Sequence, residues 1–217
     1  MLRFPFATAV ISSLLSALLV SVLSSPVLEA APRNSFPGRR VGGGTRGECS
    51  ARPVVHLVPA SNVFSPGATK LIAVLEGPSS GPQPLEITLR SASVNGIVEP
   101  DAAPLMHKQV PAAENRLVLL NIPAATVPML WESSYQCGGD NGGDEFGFIT
   151  TSAPPARSLL LPDGSPEAQN RPQQSEFAAL KAACGNTTPL APLKARFQFD
   201  DDVIDDSWPE KVTVQCF

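Results

Sequence analysis

The apolar runs of this chain are short, and turns interrupt them at regular intervals, which excludes long helices and favours strands. Residues 54–58, 70–75, 85–90, 116–122, 130–137 and 146–151 are apolar or alternating. Between them lie stretches such as Ser79-Ser80-Gly81-Pro82 and the glycine-rich turn 138–143. Short strands with such punctuation predict a mainly β chain, an antiparallel β-sandwich of the immunoglobulin-like kind. Twenty-three Pro and sixteen Gly against a single Tyr agree with many turns and few long elements.

Alternation assigns faces. Leu85, Ile87 and Leu89 fall on one side of their run and Glu86, Thr88 and Arg90 on the other, so that strand is expected to be half exposed. Leu117, Val118, Leu119 and Leu120 are apolar on both sides, as in a central strand covered on each face. Trp131, Tyr135 and Cys137 share a side, so this cysteine is expected to point into a core.

Beyond the sandwich, residues 153–174 are rich in Pro and Gln and read as a linker to a C-terminal extension, 175–217. There Ser175 is the expected N-cap of a short helix carrying Phe177, Leu180 and Cys184, with Gly185 ending it in a left-handed conformation. Two further strands are expected, around Phe197 and Phe199 and around Val212, Val214 and Cys216.

The N-terminus reads as a secretory signal over residues 1–30: Arg3 supplies the positive charge and residues 7–23 run without a charged side chain. Cleavage is expected near Ala30. A membrane anchor fits less well, because the run is broken by Ser12, Ser13, Ser16 and Ser21 and falls short of about 20 apolar residues. Cys49 lacks the small apolar neighbours of a lipoprotein signal. Export makes two disulfides the first reading of the four cysteines, Cys49, Cys137, Cys184 and Cys216. Their wide spacing, with only His56 and His107 to assist, opposes a metal centre. A net charge of −4 carries no nucleic-acid footprint.

Residues 31–48 form a Gly- and Arg-rich arm before a sandwich domain over 49–152. The segment Pro37-Gly38-Arg39-Arg40-Val41-Gly42-Gly43-Gly44-Thr45-Arg46-Gly47, followed by Cys49 and by Leu57-Val58-Pro59, resembles the opening of a cyanobacterial family of exported proteins known only as a domain of unknown function. Later features of that family resemble Trp131 to Cys137 and the Gly147-Phe148 step, so the likeness spans about residues 37–152. It implies a periplasmic or envelope setting and brings no activity, cofactor or catalytic residue. Within this frame the expected bridges are Cys49 to Cys137, closing the region of resemblance, and Cys184 to Cys216. The second follows if the C-terminal helix covers the last strand.

Several candidate sites can be weighed on residue type. Arg39, Arg40 and Arg46 among consecutive glycines offer backbone N–H groups and positive charge to an anionic partner such as a cell-wall polymer or lipid headgroup. No nucleotide-binding motif accompanies them. Asp200, Asp201, Asp202, Asp205 and Asp206, and Asp140, Asp144 and Glu145, are acidic clusters without EF-hand spacing and read as solvated loops. No Gly-x-Ser-x-Gly elbow or His-Glu-x-x-His pair positions a nucleophile or a zinc, and His56 reads as a strand residue. Counting back in twos from Phe217 meets Gln215, Thr213 and Lys211, which excludes the lipid-facing stripe of an outer-membrane barrel. The expectation is an exported, non-enzymatic interaction or structural module of the envelope, with no cofactor and an envelope protein or polymer as partner. A hydrolase acting on envelope polymers is the alternative. A Ser or Asp within hydrogen-bond reach of His56 or His107, in a pocket, would favour that alternative.

Overall fold

Where the sequence alternates, the strand is half buried, and where it is apolar on both sides the strand is covered on both. Leu85, Ile87 and Leu89 are fully buried while Glu86, Thr88 and Arg90 are partly exposed. Every residue of the run 71–76 is buried. The computed structural model describes residues 36–43, 52–99, 101–135, 154–162 and 171–217, all within one compact unit, Arg33–Phe217.

Among the described residues eleven strands form two sheets. The first sheet runs, edge to edge, β1 (Val41–Gly42), β2 (Val54–His56), β4 (Leu71–Glu76), β7 (Arg116–Asn121), β11 (Lys211–Cys216), β10 (Thr187–Pro189). The second runs β3 (Val63–Phe64), β9 (Ala156–Leu160), β8 (Met129–Tyr135), β5 (Leu85–Ser91), β6 (Met106–Val110). Their inner faces meet. His56, Ile72, Val74, Val118 and Leu120 share one face by register, and the His56 ring stacks on Trp131 of the opposite sheet with centroids 3.6 Å apart.

The outer face of the first sheet is as apolar as the inner, with Val55, Ala73, Leu75, Leu117, Leu119 and Val214 in register. Such a face must be covered, and two helices cover it. α1 (Arg171–Ala182) lies against β4 and β7, and Phe177 and Leu180 join the main core together with Leu190, Leu193 and Phe197 of α2 (Leu190–Phe197). The molecule is therefore a β-sandwich with a helical third layer, which is why β7 is buried on both faces.

Five expectations need correction. The segment 153–174 is not simply a linker: Ala156–Leu160 is strand β9, held between β3 and β8. Leu160 faces the core and Leu159 packs outward with Val63, Leu161 and Phe36, so both faces are occupied. The C-terminal extension is no appendage, because β11 is an interior strand paired to β7. That pairing and β3 with β9 are parallel, so the sheets are not purely antiparallel; a long crossover through the helices makes a parallel return possible. The helix begins at Arg171, with Pro172 in its first turn, instead of being capped by Ser175. Phe197 belongs to a second helix: it is buried with Leu190 and Leu193 at helical spacing, and Gln198 then turns left-handed at φ 54°. Gly185 does adopt the left-handed conformation expected of it, at φ 79°. Its N–H donates to the Val214 carbonyl, so the chain leaves α1 directly onto β11.

Candidate functional site

Two groups of polar side chains lie in the interior, four residues apart along the chain at β2. The first is a seam between the sheets. His56 Nδ1 is 2.8 Å from Ser158 Oγ, and Ser158 Oγ is 2.6 Å from Asn62 Oδ1. The proton positions follow from chemistry. The Asn62 amide nitrogen donates to the Arg157 carbonyl at 2.7 Å, so its oxygen faces Ser158 and can only accept. Ser158 spends its one proton on Asn62, and His56 must then donate from Nδ1. This polarity is the reverse of a serine nucleophile activated by histidine, in which the imidazole accepts the hydroxyl proton. Among the described residues His56 Nε2, a buried acceptor, has no partner. His56 and Ser158 are both 0 % exposed. Burial, with no charged group contributing, holds the imidazole well below its ordinary pKa, so the ring is neutral.

The second group is ionic. Glu76 ends β4 and lies directly opposite Arg116 on β7, and Arg116 Nε donates to Glu76 Oε2 at 2.5 Å. Arg52 Nη1 approaches Glu76 Oε1 at 3.2 Å, an ion pair whose N–H is not aimed along the contact. The remaining guanidinium donors are used as well. Arg52 donates to the carbonyls of Gly77, Ala113 and Glu114, and Arg116 to Gln215 Oε1 and the Pro111 carbonyl. Tyr135 places its ring under Arg52, 4.9 Å from the guanidinium carbon, and donates its hydroxyl to the Pro53 carbonyl. Burial pushes the Glu76 carboxyl up, against the pull of Arg52 first and then Arg116. Burial and the neighbouring Glu76 charge push the Tyr135 hydroxyl up, so it remains a donor. Two cations around one anion, with further bonds to four backbone carbonyls and the Gln215 amide oxygen, form a brace on the 111–114 turn.

The arm crosses the sandwich at the His56 seam. β1 pairs with β2, Arg40 O accepts from His56 N, and Arg39 O accepts from Arg157 N, the residue before Ser158. Gly43 N donates to Pro154 O. A glycine is required here because a Cβ on Gly42 would lie 2.3 Å from Ala156 N. The arginines expected to meet an anion are divided by this arrangement. Arg40 is committed: it donates to the carbonyls of Val58, Phe197 and Gln198 and stacks 4.3 Å from the Phe199 centroid. It thereby caps the C-terminus of α2, where a cation also suits the helix dipole. The anion-binding expectation is corrected for Arg40 on that ground. Arg39 is exposed, and Arg46 lies outside the described residues.

Cys184 and Cys216 are bonded, with Cα atoms 5.7 Å apart, as expected. The reason differs in part. Cys184 sits in the turn after α1, not on its apolar face with Phe177 and Leu180, and Cys216 is exposed at the end of β11, so the bridge closes a surface turn. Cys49 and Cys137 lie outside the described residues, as do Asp140, Asp144 and Glu145. In the other acidic cluster Lys194 donates to Asp201 at 2.5 Å, and Asp205 accepts from Ser207. Among the described residues no group of three His, Cys, Asp or Glu side chains is placed to hold a metal ion, and no helix is long and apolar enough to cross a membrane.

Open polar chemistry remains on the outer face of the second sheet. His107, Thr88, Glu132 and Arg157 stand in register across β6, β5, β8 and β9. Arg157 pairs with Glu132 at 3.1 Å while remaining half exposed, and His107 Nδ1 is 3.3 Å from Thr88 Oγ1. Sequence reasoning missed this row because β6 and β9 were not recognised as strands, and it missed Arg52, Glu76 and Arg116 because only register brings them together. Comparison with protein-family models, with curated proteins and with solved structures gives no match.

Proposed function

We propose that the chain is an exported, non-enzymatic interaction or structural module of the cell envelope. The observation that carries this reading is the direction of the hydrogen bonds at Ser158. The serine and histidine that a hydrolase would need are in contact, yet the serine proton is given to Asn62 and neither side chain reaches solvent. The Arg52, Glu76 and Arg116 group is likewise spent on bracing strands and a turn. Among the described residues the polar row from His107 to Arg157 is accessible, a surface suited to binding. The Cys184 to Cys216 bridge and the apolar N-terminal run support an oxidising compartment outside the cytoplasm, and the resemblance of the opening segment supports an envelope setting.

The test uses the exported protein. Fractionation with N-terminal sequencing should find it outside the cytoplasm, beginning near Ala31. The immobilised protein should retain an envelope polymer or protein, and Glu132→Lys with Arg157→Glu should weaken that retention by disturbing the row. Catalytic release of fragments from envelope polymers, abolished by Ser158→Ala, would instead establish the hydrolase reading.

A further inference from the structure

The His56 seam is bridged twice, once inside the molecule and once by the arm. Inside, His56 donates to Ser158 and so ties β2 to β9. Outside, the adjacent carbonyls of Arg39 and Arg40 accept from Arg157 N and His56 N, tying the same two strands through backbone at the same level. The arm lies along one side of this seam. On the other side lie Trp131, stacked on the ring at an interplanar angle of 9°, and the apolar interior between the sheets.

Adding a proton to His56 has one outcome at the atomic level. Nδ1 already carries its proton toward Ser158, so the new one goes to Nε2, where the neutral ring has no partner among the described residues. The cation would then hold an N–H donor facing no acceptor, beside an indole face and a serine oxygen. A buried polar group without a partner is costly, and a buried charge more so. Among the described residues no carboxylate contacts the ring to offset it. Glu76 shares the inner face of the first sheet with His56 and is held between Arg52 and Arg116. Arg40 and Arg157 flank the seam on the arm and on β9, with Asp200 acting on Arg40 and Glu132 paired to Arg157. The two arginines stay charged throughout mild acid, and the two carboxylates act on them and not on the ring.

We propose that His56 is the acid-sensitive catch of the arm: its protonation releases residues 36–43 from the seam, admits water to Nε2, and leaves the sandwich itself folded. Release also frees the Arg40 guanidinium from the carbonyls of Val58, Phe197 and Gln198, and it uncovers the edge of β2. The arm thus has a closed form, in which its cation caps α2, and an open form, in which that cation and Arg39 face solvent together. Between the ordinary histidine pKa, about 6.5, and the depressed value of the closed form, the opening equilibrium should rise about tenfold per pH unit.

Hydrogen exchange on the full chain, followed from pH 7.5 to 4.5 and corrected for intrinsic exchange, tests this directly. The amides of Gly43, His56 and Arg157 report the arm, and those of Ile72 and Leu120 report the sandwich. The expected result is a loss of arm protection of about tenfold per unit below pH about 6.5 with sandwich protection retained. The slope should vanish in His56→Asn, whose amide can still donate to Ser158 but does not titrate, and should survive in His107→Gln. An arm that stays protected, a slope that persists in His56→Asn, or arm and sandwich losing protection together would each overturn the proposal. If His56→Asn does not fold, His107→Gln leaves His56 as the sole imidazole. Its NMR titration must then coincide with loss of arm protection, and a ring that titrates while the arm stays protected overturns the proposal equally.

Discussion

The two buried polar groups beside β2 solve the same problem by opposite means. Around His56 every member is neutral, each contact is a single hydrogen bond, and one acceptor is left without a partner. Around Glu76 every principal member is charged, and the donors of two guanidinium groups are spread over one carboxylate, one amide oxygen and four backbone carbonyls. The first lies between the sheets where the arm crosses. The second fastens the turn between β6 and β7 to the ends of β2 and β4. A chain of single bonds is sensitive to one proton, whereas an ionic brace with many bonds is sensitive to loss of its central charge. The difference predicts that the ionic group governs the stability of the molecule and the neutral group governs its response to pH.

The largest effect should therefore come from Glu76→Gln. It keeps shape and removes the only carboxylate between Arg52 and Arg116, leaving two buried cations without a counter-charge. Breaking one side of a buried pair costs about 3–5 kcal/mol, a large part of a usual net stability of about 5–15 kcal/mol. Chemical denaturation should show the loss as a lower midpoint with an unchanged slope. A cost below about 1 kcal/mol would mean that the backbone carbonyls alone hold the guanidinium groups, and the contrast between the groups would fail.

Ser158→Ala should cost less, about 1–3 kcal/mol, because it strands the His56 Nδ1–H and the Asn62 oxygen but buries no unpaired charge. The same denaturation measurement checks it. The third effect is on pH dependence. The folded-state pKa of His56 is depressed, so below about 6.5 the unfolded chain takes up a proton that the closed form refuses. Its contribution is fully present above that pH and falls away in acid, by at most about 1.4 kcal/mol per pH unit. The loss should flatten once the arm opens, and it should be absent in His56→Asn. Denaturation midpoints between pH 5 and 7 would reveal it, and an equal slope in both proteins would place the titrating group elsewhere.

Much of the sandwich was legible because it follows from alternation that each strand carries by itself. Leu85, Ile87 and Leu89 declare their face without reference to any neighbour, and residues 117–120 declare that both of theirs are covered. Strand β9 was not legible. Pro154 and Pro155 on one side and Pro162 on the other read as a linker, and the four residues Ser158, Leu159, Leu160 and Leu161 do not reveal that they lie between β3 and β8. The helix of Leu190, Leu193 and Phe197 was hidden for a related reason, since Phe197 and Phe199 alternate as a strand would. The interior polar groups were less accessible still. Arg116 and Glu76 look like the polar ends of two apolar runs until antiparallel register sets them opposite one another. Gly42, by contrast, carried a signal open to two readings, a pinned arm or an anion cradle, and the structure packs it closely on residues 154–156.

Tyr135 gives the finest test of the contrast, because it is the neutral member of the ionic group. Its ring lies under Arg52, and its hydroxyl donates to Pro53 O at 3.2 Å. Burial and the Glu76 charge both raise the pKa of that hydroxyl, so it keeps its proton at neutral pH and in mild acid. Tyr135→Phe leaves the ring and its stacking in place and removes one donor. Arg52 and Arg116 still contact Glu76, and the carbonyl of Pro53 loses one partner, so the expected cost is about 1 kcal/mol. The Glu76 carboxyl, which Tyr135 also helps to hold down, should be raised further. A cost matching that of Glu76→Gln would show that the hydroxyl, and not the pair of guanidinium groups, sustains the buried charge. The ionic group would then be as dependent on a single hydrogen bond as the neutral one, and the distinction between brace and catch would fall.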